Sequence, residues 1–176
     1  MFEALGAQEE RKIEMEITIL KTKILAFISL LLIVSCSSIP PRGENESAEI
    51  RTQAWVMPIT NDYYVRKIDG VYNFYKENAS GALQLSSMVS GTAIPDQQLI
   101  EIAQSQINGA GELVDISDDS MRGYKSVFTS QGVYWVYWFI VIDRSLIFVT
   151  YNTDSDTIDA NEIKNVEVVV NGISST

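Results

Sequence analysis

The sequence predicts an α+β domain, a single antiparallel sheet with helices packed on it. Three observations carry this. Asp69-Gly70 stands between "DYYVRKI" and "VYNFYK", two runs rich in aromatic and β-branched residues. A two-residue type I′ loop needs positive φ at both positions, so Asp-Gly in that setting marks an antiparallel hairpin. "VYWVYWFIVID" is apolar on both faces, with Trp135, Tyr137, Phe139 and Val141 on one and Val136, Trp138, Ile140 and Ile142 on the other. That is the pattern of a central strand covered on both sides. "PDQQLIEIAQSQING" changes to helical spacing. The order of strands, helix, a run of strands and a helix then gives one sheet with helices laid on it.

The first element in the chain precedes the domain. Residues 24–34, "ILAFISLLLIV", carry no charge and follow Lys21 and Lys23. As a helix this run spans about 16 Å, half of a bilayer core. A basic flank, a short apolar run and small residues after it describe a secretory signal. Ile33-Val34-Ser35-Cys36 resembles the lipobox of bacterial lipoproteins: an aliphatic residue at −3, a small one at −1 and Cys at +1. The resemblance implies that residues 1–35 are a leader and that Cys36 becomes the new N-terminus. It also implies acyl chains such as palmitate on the Cys36 sulfur. Several acyl chains anchor stably where a single myristoyl chain binds only marginally. Ser37 at +2 implies sorting to an outer membrane, facing the periplasm. Residues 1–14 carry four acidic residues, unlike a basic leader start, and Met15 opens a tighter one, "MEITILKTK". Translation is expected to begin there.

Residues 36–52 hold the lipidated Cys and a tether, polar and marked by Pro40-Pro41 and Gly43. The folded domain is expected over residues 53–176. "QAWVMPI" is its first strand, ended by Pro58. The two-residue loop at Asp69-Gly70 fixes the hairpin register. Tyr64–Tyr75, Arg66–Asn73 and Ile68–Val71 share one side, while Tyr63–Lys76, Val65–Phe74 and Lys67–Tyr72 share the other. "ALQLSSM" alternates Leu83 and Leu85 with Gln84 and Ser86, a half-buried strand. Pro95 and Asp96 open the first helix and Asn108-Gly109 stops it, with Leu99, Ile102, Ala103 and Ile107 as its buried stripe. "ELVDISD" and "MRGYKSVFTS" are strands. Gln131-Gly132 turns into the Trp-rich strand, and Asp143-Arg144 turns that into "SLIFVTYN". Asp159 and Glu162 have the spacing of a capping box, and Ile163, Val166, Val169, Val170 and Ile173 recur at helical spacing behind them.

The aromatic hairpin, the "GALQLSS" strand, the Pro-initiated helix, the Trp-rich hairpin and the C-terminal helix together resemble the PsbP/Mog1-like fold. That fold occurs in DcrB-type envelope lipoproteins. The resemblance runs over residues 53–174 and is one of pattern and order. It implies a binding or accessory scaffold and carries over no catalytic residue.

Composition narrows the function. The chain has 176 residues, 23 acidic against 13 basic, no histidine and one cysteine. An acidic surface with no basic stripe repels phosphate backbones, so nucleic acid is not an expected partner. Without histidine there is no Ser-His-Asp or Cys-His nucleophile system, and a lone Cys makes no internal disulfide. A domain of this size buries roughly two thirds of its unfolded surface and needs no metal staple. No cofactor or metal is expected. Asn152, Asp154, Asp156, Asp159 and Glu162 are dense in oxygen ligands, but the sixth position from Asp154 is Asp159 where a calcium loop needs Gly. They read as helix-capping residues. "NGAG" at 108–111 follows a helix and lacks the third glycine of a dinucleotide fingerprint.

The tyrosines of the hairpin are the remaining interaction signal, because both faces of one hairpin cannot be fully buried. Tyr64 and Tyr75, flanked by Arg66 and Asn73, form the candidate partner surface. The expected function is a lipid-anchored, non-catalytic binding or accessory protein of the bacterial cell envelope. It would reach the membrane through acylated Cys36 and meet a protein partner or a small ligand. Two alternatives stand beside it: an immunity-type protein masking a basic toxin, and a carboxylate-dependent envelope hydrolase.

Overall fold

The computed structural model describes residues 49–60 and 63–176. In chain order the strands are β1 (Glu49–Arg51), β2 (Trp55–Pro58), β3 (Tyr64–Ile68), β4 (Val71–Tyr75), β5 (Gly81–Val89), β6 (Val114–Asp115), β7 (Arg122–Ser130), β8 (Val133–Ile142), β9 (Ser145–Asp154) and β10 (Ser174–Ser175). Helix α1 (Asp96–Ile107) lies between β5 and β6, and α2 (Ala160–Asn171) precedes β10. The class is α+β.

The strands form two sheets, where the sequence predicts one. The larger runs β3-β4-β5-β9-β8-β7-β6 and the smaller β1-β2-β10, and every pairing is antiparallel. The split has a local cause. Pro58 offers no N–H for a further rung, and β2 ends there instead of continuing toward the hairpin. Its partners come from the two ends of the domain: Ile50 faces Met57, and Ser174 faces Val56. The tether expected through residue 52 therefore ends earlier, since residues 49–51 are a strand. Ile50 is only 6% exposed, and burying an isoleucine contributes about 1.5–3 kcal/mol.

The hairpin forms in the register that a two-residue loop dictates, from Tyr64–Tyr75 to Ile68–Val71. Asp69 and Gly70 both take positive φ, 49° and 87°, as a type I′ turn requires. Helix α1 starts one residue after Pro95, which sits extended at the cap position, and it ends at Asn108 in the left-handed conformation. The Asp159 side chain accepts from the amides of Asn161 and Glu162 and so caps α2.

The two faces of the large sheet are covered differently. On one face, Leu83, Leu85, Val136, Trp138, Ile140 and Val149 pack with Trp55 and Met57 of the small sheet and with Val166, Val169 and Val170 of α2. Lys125 on β7 donates to Glu167 of α2 and lies over the Trp138 ring. The other face carries α1, which packs on β7 and β8. The Tyr124 hydroxyl donates to Asp96 at 3.1 Å, and Arg122 donates to the Ile94 carbonyl, so the start of α1 is tied to the start of β7. Gly111, just after the helix, packs against Ser126. Phe139, Val141 and Leu146 are buried on this face. A twelve-residue helix spans about 18 Å, and its main packing is against β7 and β8.

Candidate functional site

Side chains of alternate residues stand in rows across the face that carries α1. Tyr64 faces Tyr75. One step beyond the Phe74–Leu83 pair, the β4–β5 register sets Tyr75 beside Ala82. Ala82 faces Asn152, Asn152 faces Trp135, and Trp135 faces Phe128. The next row is Arg66, Asn73, Gln84, Thr150, Tyr137 and Ser126. A third crosses Ile68, Val71, Ser86, Phe148, Phe139 and Tyr124.

Aromatic rings stand at both ends of the first row. Tyr64 and Tyr75 are stacked, with centroids 4.9 Å apart and planes 20° apart. On the other side Tyr137 is the hub. It meets Phe128 at 5.1 Å, Phe148 at 5.2 Å and Trp135 at 5.7 Å, each edge to face. Such pairs contribute about 0.5–1.5 kcal/mol beyond their burial, so the rings hold one another in place. Tyr75, Trp135, Tyr137, Phe128 and Phe148 are all half-buried. Burial still raises the pKa of the Tyr137 phenol, so it is a neutral hydrogen-bonding group. Between the two ring groups lie small or uncharged side chains. Ala82 is exposed, and the Gln84 amide donates to the Asn73 carbonyl oxygen at 2.8 Å.

The three rows hold a single charged side chain, Arg66, and no carboxylate, in a chain with 23 acidic residues. The arrangement offers flat apolar rings, amides and hydroxyls. It offers no nucleophile with a base beside it and no pair of carboxylates.

Tyr64, Tyr75, Arg66 and Asn73 therefore share one face, as the hairpin register predicts. Tyr63 and Tyr72 belong to the other side: Tyr63 is buried edge-on to Phe74, and Lys67 lies over Tyr72. Trp135, Tyr137, Phe128 and Phe148 join the face although the sequence predicts β8 to be covered on both sides. Strand β8 is central, between β9 and β7, but on its second face only Phe139 and Val141 are buried, while Trp135 and Tyr137 stay half-buried. One signal for this was present in the sequence. The odd-numbered residues of β8 include Trp135 and Tyr137, amphipathic rings that suit a half-wet position.

The acidic residues are dispersed. Asp159 caps α2, Glu162 is spent on Ser80 and Gly81, and Asp154 and Asp156 are exposed. Asp115 and Asp118 accept hydrogen bonds from Ser117 and Ser120 within their own loop, which lowers both pKa values. Among the described residues no group of His, Cys, Asp or Glu is placed to hold a metal ion, and no helix is long and apolar enough to cross a membrane. A cleft of about 740 Å³ elsewhere is lined by Thr52, Trp55, Ser87, Asp143 and Arg144, among others. Its charged groups are adjacent and of opposite sign. Cys36 and the lipobox residues Ile33, Val34 and Ser35 lie outside the described residues.

No family model matches the chain. No curated protein matches it either. Among solved structures, a protein of Bacteroides thetaiotaomicron VPI-5482 is similar over 69% of this chain, at 17% identity and a TM-score of 0.48. The chain spans 45% of that protein's length. A cyanobacterial PsbP (CyanoP) of Synechocystis sp. PCC 6803 is similar over 82% of this chain and 99% of its own, at 11% identity and a TM-score of 0.45.

Proposed function

We propose that this chain is a lipid-anchored, non-catalytic binding protein of a bacterial cell envelope, with a PsbP/Mog1-like domain whose contact surface is the half-open aromatic face. The observation behind the contact surface is the set of half-buried rings, Tyr75, Phe128, Trp135, Tyr137 and Phe148, gathered on one face of the sheet. Exposed aromatic area held by a rigid sheet contributes binding energy at low ordering cost. The lipobox-like run ending at Cys36 supports the anchor, and the order of elements supports the fold family.

The face lacks carboxylates, so the acidic charge that would meet a basic toxin lies elsewhere on the domain. This favours a binding role over toxin masking for this surface.

The anchor is tested by feeding cells a clickable fatty acid. Label on the wild-type chain and none on Cys36→Ser is expected, and label retained by Cys36→Ser contradicts it. The contact surface is tested with a photo-crosslinking amino acid at position 82, in the floor of the face, and at exposed position 164 on α2. Adducts specific to position 82 are expected. The same adducts at both positions, or none at position 82, would reject the assignment.

A further inference from the structure

Position 82 is the floor of a slot with chemically distinct walls. From β4 to β8 the sheet crosses three strand intervals, through β5 and β9. At 4.7–4.9 Å per interval that sets the backbones under Tyr75 and Trp135 about 14 Å apart. Both residues stand in the same row and on the same face. The two positions between them are Ala82, which is small and exposed, and Asn152, which is half-buried. Rings standing about 14 Å apart leave roughly 10 Å between their facing surfaces once half a ring thickness is removed at each end, room for one six-membered saturated ring with its equatorial substituents.

The chemistry around the slot is specific. Its ends are the rings of Tyr75, stacked on Tyr64, and Trp135, set edge to face with Tyr137. Its floor and near wall present the amides of Asn152, Gln84 and Asn73 and the half-buried Tyr137, while Thr150 between them is buried. With Nε2 bonded to Asn73, Gln84 keeps its carbonyl oxygen as an acceptor. No carboxylate stands in the three rows and Arg66 is at their outer end, so the slot neither attracts nor repels strongly by charge. A pyranose has the matching properties: an apolar C–H face that stacks on an aromatic ring, and equatorial hydroxyls that donate to and accept from planar amides. A peptide partner fits less well, since the slot floor offers amides in place of an apolar pocket for an anchor residue.

We infer that the slot between Tyr75 and Trp135 binds a neutral sugar unit of a glycan. This rests on the aromatic face being the contact surface, and it adds the chemical class of the ligand.

Tryptophan emission reads the slot directly. Of the chain's three tryptophans, Trp55 and Trp138 are 1% and 2% exposed on the other side of the sheet, so Trp135 is the one a ligand can reach. Full-length protein in a non-glycosidic detergent is titrated with tetramers of glucose and of N-acetylglucosamine. A saturable emission change with at least one of them is expected. Tyr75→Ala should weaken that binding about tenfold or more, while Lys164→Ala on α2 should leave it unchanged. Binding to Trp135→Phe, which keeps a stacking ring and loses the signal, is read by calorimetry and should persist. If neither tetramer binds the folded protein, the sugar assignment is wrong. Crosslinks specific to position 82 would then still uphold the contact surface. If a tetramer binds but Tyr75→Ala leaves its affinity unchanged, the slot is not the site and the sugar assignment falls with it.

Discussion

The Glu162 carboxylate accepts two hydrogen bonds from Ser80, one from its amide and one from its hydroxyl, each at 2.7 Å. A third comes from the Gly81 amide at 3.0 Å. This ties the first turn of α2 to the loop that enters β5, across 82 positions of sequence. Glu162→Ala leaves those donors without their acceptor in a half-buried setting. It should cost about 2–3 kcal/mol, the range for hydrogen bonds to a charged group. Urea denaturation checks this, and Glu162→Gln should lose less because its carbonyl oxygen still accepts.

Beside that contact, Gly81 approaches Tyr151 so closely that a Cβ would stand 2.4 Å from the ring carbon Cζ and 2.5 Å from the Asn152 carbonyl. Tyr151 is 1% exposed and cannot swing away. Gly81→Ala should destabilise the domain by about 1–3 kcal/mol through overpacking, read from the same denaturation curves. Tyr151→Phe should relieve none of this, since the clash is with the ring.

The Tyr151 phenol itself reports the packing. Burial pushes its pKa up from 10.0 to about 12, and the charge of Glu162 adds to the shift. A folded-state value above the unfolded one adds stability that is fully present below pH 10. That contribution is lost as pH rises through about 12. Ultraviolet titration should show ionisation with a pKa of about 12, beyond the ordinary tyrosine range, and Tyr151→Phe should remove that last component while Tyr137, also raised by burial, still ionises late.

At the hairpin tip, Gly70→Val should lower stability by roughly 1 kcal/mol or more, because a β-branched residue resists the positive φ held there. A neutral result in chemical denaturation would reject the type I′ turn.

These elements differ in how far the sequence announced them. The hairpin was legible residue by residue, since a two-residue loop leaves one register. Asp159 as the α2 cap and Asn108 as the α1 stop were legible for the same local reason. The small sheet was not. Strands β1 and β10 are three and two residues long, and they meet β2 from opposite ends of the domain. Pairing of that kind depends on the finished fold. The candidate face was half legible. Tyr64 and Tyr75 followed from the hairpin, whereas Trp135 and Tyr137 were hidden by their own apolarity. Composition says which residues are able to be buried, and only the packing of the finished fold decides which of them are.

In the function proposed here, the aromatic face is where this protein makes contact. Tyr75→Ala combined with Trp135→Ala tests it most directly, in the full-length protein carrying the photo-crosslinking amino acid at position 82. Each removal loses an aromatic pair of about 0.5–1.5 kcal/mol together with part of the ring's burial, so the unfolding midpoint should fall while the cooperative transition survives. The position-82 adducts should disappear. A double variant that stays folded and still forms the same adducts would contradict the claim.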